Sequence, residues 1–191
     1  PHMIFLNKID RANGRIRDLL EALQSISEKP LVLRQVPIRD GEQITGYVDL
    51  ASERAYEYRD GAESNITEIP EDLKEREGEA RYQMLEKLAD FDDHLMEELL
   101  EEIDPPKDEI FNDLTSDLRE GLIVPVLLGA GEHENGVRRL LKALRHESPT
   151  SAAAAARAHV EGDAALGQVL KTYHTARGGK LSLVRVWSGS F

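Results

Sequence analysis

The chain begins with a short apolar run, Met3-Ile4-Phe5-Leu6, that gives way at once to the polar pair Asn7-Lys8. An apolar run with a polar loop at its end suits a buried strand of a parallel sheet whose carboxyl end carries function. Ile16, Leu19, Leu20 and Leu23 then recur at helical spacing and stop before Pro30, which completes a β-α unit. The same pair of signals returns late in the chain. Residues 122–128 are apolar without interruption, Gly129-Ala130-Gly131 breaks the run, and Val137, Leu140, Leu141 and Leu144 form a second helical stripe.

Between these two units the pattern changes. Residues 31–38, 44–49 and 54–58 are short β-rich pieces separated by Asp40-Gly41 and Ser52-Glu53, and they predict a small antiparallel meander. After a polar stretch ending at Pro70, an acidic helical region is expected from about 71 to 102, stopped by Pro105-Pro106, with a further helix over 107–120. Residues 148–158, with Pro149 and five alanines at 152–156, read as an interdomain connector, and an alanine helix is the equal alternative. Residues 167–173 and 180–188 predict a hairpin turning at Gly178-Gly179. A single hairpin is marginal alone, so the expectation is the opening of a β-barrel cut at Phe191.

The organisation expected is therefore α/β: an incomplete parallel-sheet domain from 1–29 and 121–147, interrupted by an inserted α+β subdomain at 30–120. A linker at 148–163 and the first hairpin of a β-barrel at 164–191 follow. No solenoid repeat is visible. With 191 residues the chain is long enough to bury a core. Met3 to Leu6 runs directly into the motif at Asn7, so the start reads as native sequence cut mid-strand, although His2-Met3 also fits a cloning remnant.

Composition adds exclusions. A net charge of −12 disfavours general attraction to nucleic-acid phosphate or anionic lipid, so sequence-specific nucleic-acid binding is not expected. There is no cysteine, which removes disulfides and thiolate metal sites and fits a reducing cytosol. No run of 18 apolar residues and no signal pattern occurs, so no membrane association is expected.

The candidate chemistry lies in Asn7-Lys8-Ile9-Asp10, directly behind the first strand. A carboxylate at Asp10 can accept paired hydrogen bonds from a ring N–H and an exocyclic amine, the edge that guanine offers and adenine does not. The stem of Lys8 can cover a flat ring while its ammonium stays wet, and Asn7 can donate and accept to fix the loop. The plainer alternative is a strand-to-helix turn in which Asn7 and Asp10 cap the helix that follows.

Asn7-Lys8-Ile9-Asp10-Arg11 resembles the guanine-specificity motif of translational GTPases. Val124 to Gly131, followed by Asn135-Gly136-Val137 and Leu140-Leu141, resembles the strand, base-contacting loop and helix that close the nucleotide domain of elongation factor G. The likeness continues to Ser148-Pro149. It implies that Gly129, Ala130 and Gly131 offer backbone N–H groups to the base, an approach that glycine leaves open. Ala130 stands where the family usually has serine, and Gly131 where it usually has alanine. A backbone contact survives that change and the serine hydroxyl does not.

The family also places an extra α/β subdomain between these two motifs, the slot filled by 30–120. Pro37-Ile38 and Gly46-Tyr47-Val48-Asp49-Leu50 resemble the strand pair that opens it, and residues 72–100 align without gaps to its main helix. On a helical wheel Leu73, Ala80, Met84 and Leu88 share one arc while Glu75, Glu79 and Glu86 lie opposite. Since the family uses this subdomain to engage the ribosomal stalk protein, the resemblance makes Glu75, Glu79 and Glu86 partner-binding candidates. A solvated charged face without a partner is the alternative. Lys180-Leu181-Ser182 and Arg185-Val186-Trp187-Ser188-Gly189 resemble the first hairpin of the second, β-barrel domain, whereas Tyr173-His174-Thr175-Ala176-Arg177 departs from the family.

Phosphoryl transfer needs a glycine-rich loop ending in Lys-Ser/Thr, and the chain has none. Gly162 to Gly167 has the nearest spacing but runs into Gln168-Val169, and no D-x-x-G occurs. The resemblance thus implies GTP or GDP as ligand of a parent enzyme, with Mg²⁺ and catalysis supplied by residues outside this chain. No catalytic or metal-ligating set is expected within it. Glu132-His133-Glu134 reads as a polar loop, and neither H-E-x-x-H nor G-x-S-x-G is present. The implied role is part of a cytoplasmic, GTP-driven ribosomal translocation factor that contributes guanine recognition and stalk docking. A non-enzymatic ribosome-binding module is the alternative from another class, and ribosome-protection or release-factor GTPases are alternatives within the same one.

Overall fold

The computed structural model describes every residue except Asn13, Asp60, Glu161, Asp163 and Arg177. The chain divides into two compact units, Pro1–Ser148 and Pro149–Phe191.

In the first unit, strands β1 (Ile4–Leu6), β7 (Val124–Leu128) and β2 (Leu31–Leu33) form a parallel sheet in the order β1-β7-β2. Ile4 lies beside Val126 and Leu31 beside Val124. Every residue of β7 is buried, as a continuous apolar run in the middle of a parallel sheet requires. Helices α1 (Ile16–Gln24) and α5 (Val137–Glu147) follow β1 and β7 in the chain. Ile9, Ile16 and Leu128 pack together, with Leu6 and Leu20 against them and Leu23 beside Leu31 and Val124, so all of the α1 stripe but the exposed Leu19 packs on this sheet.

The apolar run 31–38, expected as one piece, is two strands in two sheets, β2 and β3 (Gln35–Asp40). The break falls at Arg34. Its N–H donates to Val126 O at 3.0 Å in the parallel sheet, and its carbonyl accepts the Leu50 N–H at 3.0 Å beside the antiparallel one. That second sheet runs β3-β4-β5-β6, with β4 at Gln43–Asp49, β5 at Arg54–Glu57 and β6 at Asn65–Thr67. The exposed strand β6 lies in the polar stretch where hydrophobic patterning gave no strand signal.

The acidic region expected as one helix from 71 to 102 is also divided. A 3-10 turn at Glu71–Leu73 leads into α2 (Lys74–Ala89), and α3 (Asp93–Leu100) starts afresh. Asp92 makes the break: extended in backbone, it accepts the N–H groups of His94 at 2.8 Å and Leu95 at 3.1 Å, an N-cap that begins a new helix. Helix α4 (Lys107–Glu120) follows and ends at Gly121, which takes φ 74°. Met84, Leu85 and Leu88 of α2, Leu95 of α3, and Ile110 and Leu114 of α4 share one core with Val32, Val36, Leu50 and Ile123.

Four charges are enclosed where β2, β3, β4 and α5 meet. Arg34 is fully buried and pairs with Glu147 at 2.8 Å, and Arg139 holds Asp49 at 2.7 Å and stands 3.7 Å from Glu147. Burial pushes the Asp49 carboxyl up, but the Arg139 and Arg34 guanidinium groups outweigh it and hold the group below the usual carboxylate range.

In the second unit the stretch at 148–158 contains helix α6 (Ser151–Arg157), capped by Thr150 Oγ1 accepting the Ala153 N–H at 3.2 Å, so the alanine run is helical. Glu161 and Asp163 of the expected linker lie outside the described residues. Strands β8 (Leu166–Thr175) and β9 (Gly179–Ser188) pair as the antiparallel hairpin expected from the pattern, with Gly179 at φ 73°. Arg177 of the turn lies outside the described residues. Trp187 donates its indole N–H to Gln168 at 3.1 Å, and the Arg185 guanidinium lies 4.3 Å from the Trp187 ring centroid.

Candidate functional site

The two candidate loops leave the same end of neighbouring parallel strands. Leu6 and Leu128 are register partners, so the chain enters Asn7 and Gly129 side by side. Asn7 then ties them together. Its Oδ1 accepts the Gly131 N–H at 2.8 Å and the Lys8 N–H at 2.9 Å, while Ile9 N–H donates to Gly129 O at 3.2 Å. Lys8 takes the left-handed conformation, φ 61° and ψ 35°, unusual for a side chain of its size. The two bonds from Asn7 and Ile9 on either side of it hold that turn.

Beyond Lys8, Ile9 turns inward and is buried, which leaves Lys8 and Asp10 at the surface on either side of it. The Asp10 side chain retains 27% exposure; its Oδ2 lies 3.7 Å from Arg11 Nε and 3.8 Å from His133 Nε2. Arg11 reaches across to Glu132 at 2.5 Å, a second link between the loops. Both partners are well exposed, so solvent screening keeps its worth small. The plainer alternative, Asn7 and Asp10 as caps of α1, does not describe this geometry: Arg15 is the N-cap residue of α1, and its side chain makes no capping bond.

The loop at 129–131 is fixed by its own backbone. Gly129 N–H donates to Leu6 O at 3.0 Å, and Ala130 exchanges two hydrogen bonds with Asn135, at 2.9 and 3.2 Å. A Cβ on Gly129 would fall 2.4 Å from the Phe5 ring and 2.5 Å from Asn135 O, so only glycine fits this close approach. Gly136, at φ 77°, has the same constraint against Leu128 O. The N–H groups of Gly129, Ala130 and Gly131 therefore all have acceptors within the chain. The sequence suggested them as donors to a ligand and did not reveal that Leu6, Asn135 and Asn7 already hold them.

Glu75, Glu79 and Glu86 are all exposed on α2, while Met84 and Leu88 are buried and Ala80 is half-buried against the core. The wheel missed Glu77 and Arg81, both buried on the same helix. Arg81 donates to Leu50 O at 2.6 Å and pairs with Asp104 at 2.9 Å. Another grouping joins α3 to α4: His94, Glu98 and Glu109 bring possible ligand atoms within 4.8 Å of one another, a geometry that acidic surfaces also show without any ion. The His94–Glu98 spacing of four was visible in the sequence; Glu109 was not, because the approach of α4 is tertiary. Among the described residues no helix is long and apolar enough to cross a membrane.

A β-α unit and a β-loop-α unit laid side by side form a parallel α/β layer with a polar loop pair at the carboxyl ends of its strands, the end at which open α/β sheets carry ligands. Comparison with known proteins makes this particular. An elongation factor G-like protein of Synechocystis sp. is 47% identical over 193 aligned residues, covering 100% of this chain. Elongation factor G of Rhodopirellula baltica is 36% identical and elongation factor G 1 of Borreliella burgdorferi 34% identical, each over 78% of this chain. A crystal structure of a Thermus thermophilus protein superposes on 99% of the chain with a TM-score of 0.78 at 28% identity. No family model matches the chain. By sequence the chain is a homologue of the elongation factor G-like proteins, matched from one end to the other. It spans 29% of the length of the Synechocystis relative and 22% of the two elongation factors G.

Proposed function

We propose that this chain is the guanine-reading and stalk-docking segment of a GTP-dependent translation factor that drives ribosomal translocation. The observation that carries the reading is the bridge from Asn7 to Gly131, which sets the Asp10 loop beside the loop at 129–131 at the end of a parallel sheet. Homology to elongation factor G-like proteins over the whole chain supports the same assignment.

In this reading Asp10 accepts the two N–H groups on the guanine edge, and the Lys8 stem covers the ring. Gly131 donates its N–H to the base carbonyl by exchanging its Asn7 acceptor for it, while Gly129 and Ala130 hold the loop in place. Asn7 keeps the Lys8 N–H and with it the left-handed turn. Phosphate and Mg²⁺ are left to a part of the parent sequence outside this chain, which has no phosphate loop of its own. Hydrolysis is therefore assigned to the parent and not to these residues.

The exposed row Glu75, Glu79 and Glu86 is the proposed contact for the large-subunit stalk, in the cytoplasm. The test uses the natural full-length product. GTP hydrolysis stimulated by ribosomes and reduced when the stalk protein is stripped supports the reading. Ribosome binding without any guanine-nucleotide binding would replace it with a non-enzymatic module.

A further inference from the structure

Helix α1, strands β2 and β3 and helix α2 surround an open cavity of about 720 Å³, within the size range of small-molecule sites. It shares no lining residue with the loops at 7–10 and 129–131. The half-buried Leu20, Leu33 and Ala80 form its apolar lining together with the buried Ile16, Leu31 and Met84, and among the described residues no aromatic side chain lines it. An aliphatic wall without a ring to stack on suits a carbon chain better than a nucleobase.

The polar lining is cationic. Arg15, Arg17, Arg39, Arg76 and Lys87 face two carboxylates, Glu21 and Glu79, in a chain whose 24 Lys and Arg are outnumbered by 36 Asp and Glu. Glu21 is engaged with Arg17 at 3.2 Å. None of Arg15, Arg39 and Arg76 is in an ion pair with a described residue. Lys87 is half-buried, donates to Leu31 O at 2.7 Å, and is held below the usual lysine range by burial, which an anion beside it would offset.

We propose that this cavity binds a small aliphatic anion, with the carbon chain against the Leu20–Leu33–Ala80 wall and a carboxylate or phosphate head at the arginine rim. The lining thus carries five cations against two carboxylates in a molecule whose net charge is −12. The site is independent of the proposed guanine site, so the two stand or fall separately.

The test is titration of the full chain with decanoate and with decyl phosphate, both below their micelle concentrations, followed by amide NMR shifts. One head group or the other should bind one-to-one at about 100 μM or tighter, with shifts confined to α1, β2, β3 and α2. The better of the two identifies the natural head group. Neutral decanol and the double variant R39E/R76E should each weaken binding at least ~10-fold, the loss expected from one charge-assisted contact. Ala80→Trp, which fills the cavity, should abolish it; should that variant lose its helical circular dichroism, R39E/R76E decides. Equal affinity for decanol, undiminished binding by R39E/R76E, shifts centred on β8–β9, or no binding at about 1 mM would each overturn the proposal.

Discussion

The Asn7 side-chain oxygen accepts the Gly131 N–H at 2.8 Å, joining two loops that lie 124 positions apart in the chain. The same oxygen also takes the Lys8 N–H. Removing it leaves a left-handed lysine and a glycine loop without their shared acceptor. Asn7→Ala is expected to raise the Kd of the full-length protein for GDP about 5-fold, the worth of about one hydrogen bond, because the complex keeps the bond from Lys8 N–H that holds the turn. Amide exchange at Gly131 should accelerate by a similar factor. An unchanged exchange rate would show that the bridge does not hold the loop.

Asp10 carries the proposed base selection. Asp10→Asn replaces one acceptor with a donor, which suits a base bearing a carbonyl where guanine bears an amine. Affinity of the full-length protein for guanine nucleotides should fall by about 10²-fold or more, while that for xanthine nucleotides rises. A parallel loss for both would place Asp10 in loop support instead.

The enclosed charges test stability without touching nucleotide. Arg139→Met leaves Asp49, buried and ionised, without its principal partner. Loss of one member of such a pair costs about 3–5 kcal/mol. Urea unfolding followed by circular dichroism should show the transition from the first unit shifted accordingly, and a shift under about 1 kcal/mol would contradict the arrangement.

Burial, followed by the neighbouring carboxylates Asp92 and Glu109, pushes the Asp113 carboxyl up to about 6; burial, followed by Asp113 and Glu120, does the same to Asp117. Both groups bind their proton more tightly in the folded chain than in the unfolded one. Their contribution to stability is fully present below the unfolded value near 3.8 and is lost as pH rises through about 6. Asp117→Asn should therefore stabilise the chain by about 1–2 kcal/mol at pH 7.5 and by little at pH 4.5, read from thermal melts at the two pH values. Equal gains at both would remove the titration as the cause.

The glutamate row is tested on the ribosome. Glu75→Lys, Glu79→Lys and Glu86→Lys together should weaken binding of the full-length protein to intact ribosomes several-fold and leave binding to stalk-stripped ribosomes unchanged. All three side chains are exposed, so folding should be preserved within about 0.5 kcal/mol. Equal affinity for intact ribosomes would leave the row as a solvated face.

The α/β layer was legible because its strands are continuous apolar runs and its helices carry stripes. The motif at 7–10 was legible because it sits directly behind a strand. What periodicity could not show was the division at Arg34, since 31–38 reads the same whether its pieces join one sheet or two. Nor could it show the new helix at Asp92, where a single cap overrides a continuous helical composition. Strand β6 has an exposed residue at every position and so carries no alternation. In the loops, residue types singled out the backbone groups at 129–131, but not that Leu6, Asn135 and Asn7 already accept their hydrogen bonds. Buried Arg34, Asp49, Arg139 and Glu147 gave no warning at all, because charged residues are scored as surface until their partners are known.

The core that unites Val32 and Ile123 with Leu85, Leu95 and Leu114 bears on how this region can be altered. The meander and its three helices have no separate interior to take with them. Excision between Arg34 and Gly121 would strip one wall from the remaining layer and leave Arg139 without Asp49. Pro1–Ser148 is therefore the piece to exchange whole in a graft from a relative, while the exposed edge strand β6 lies outside the shared core.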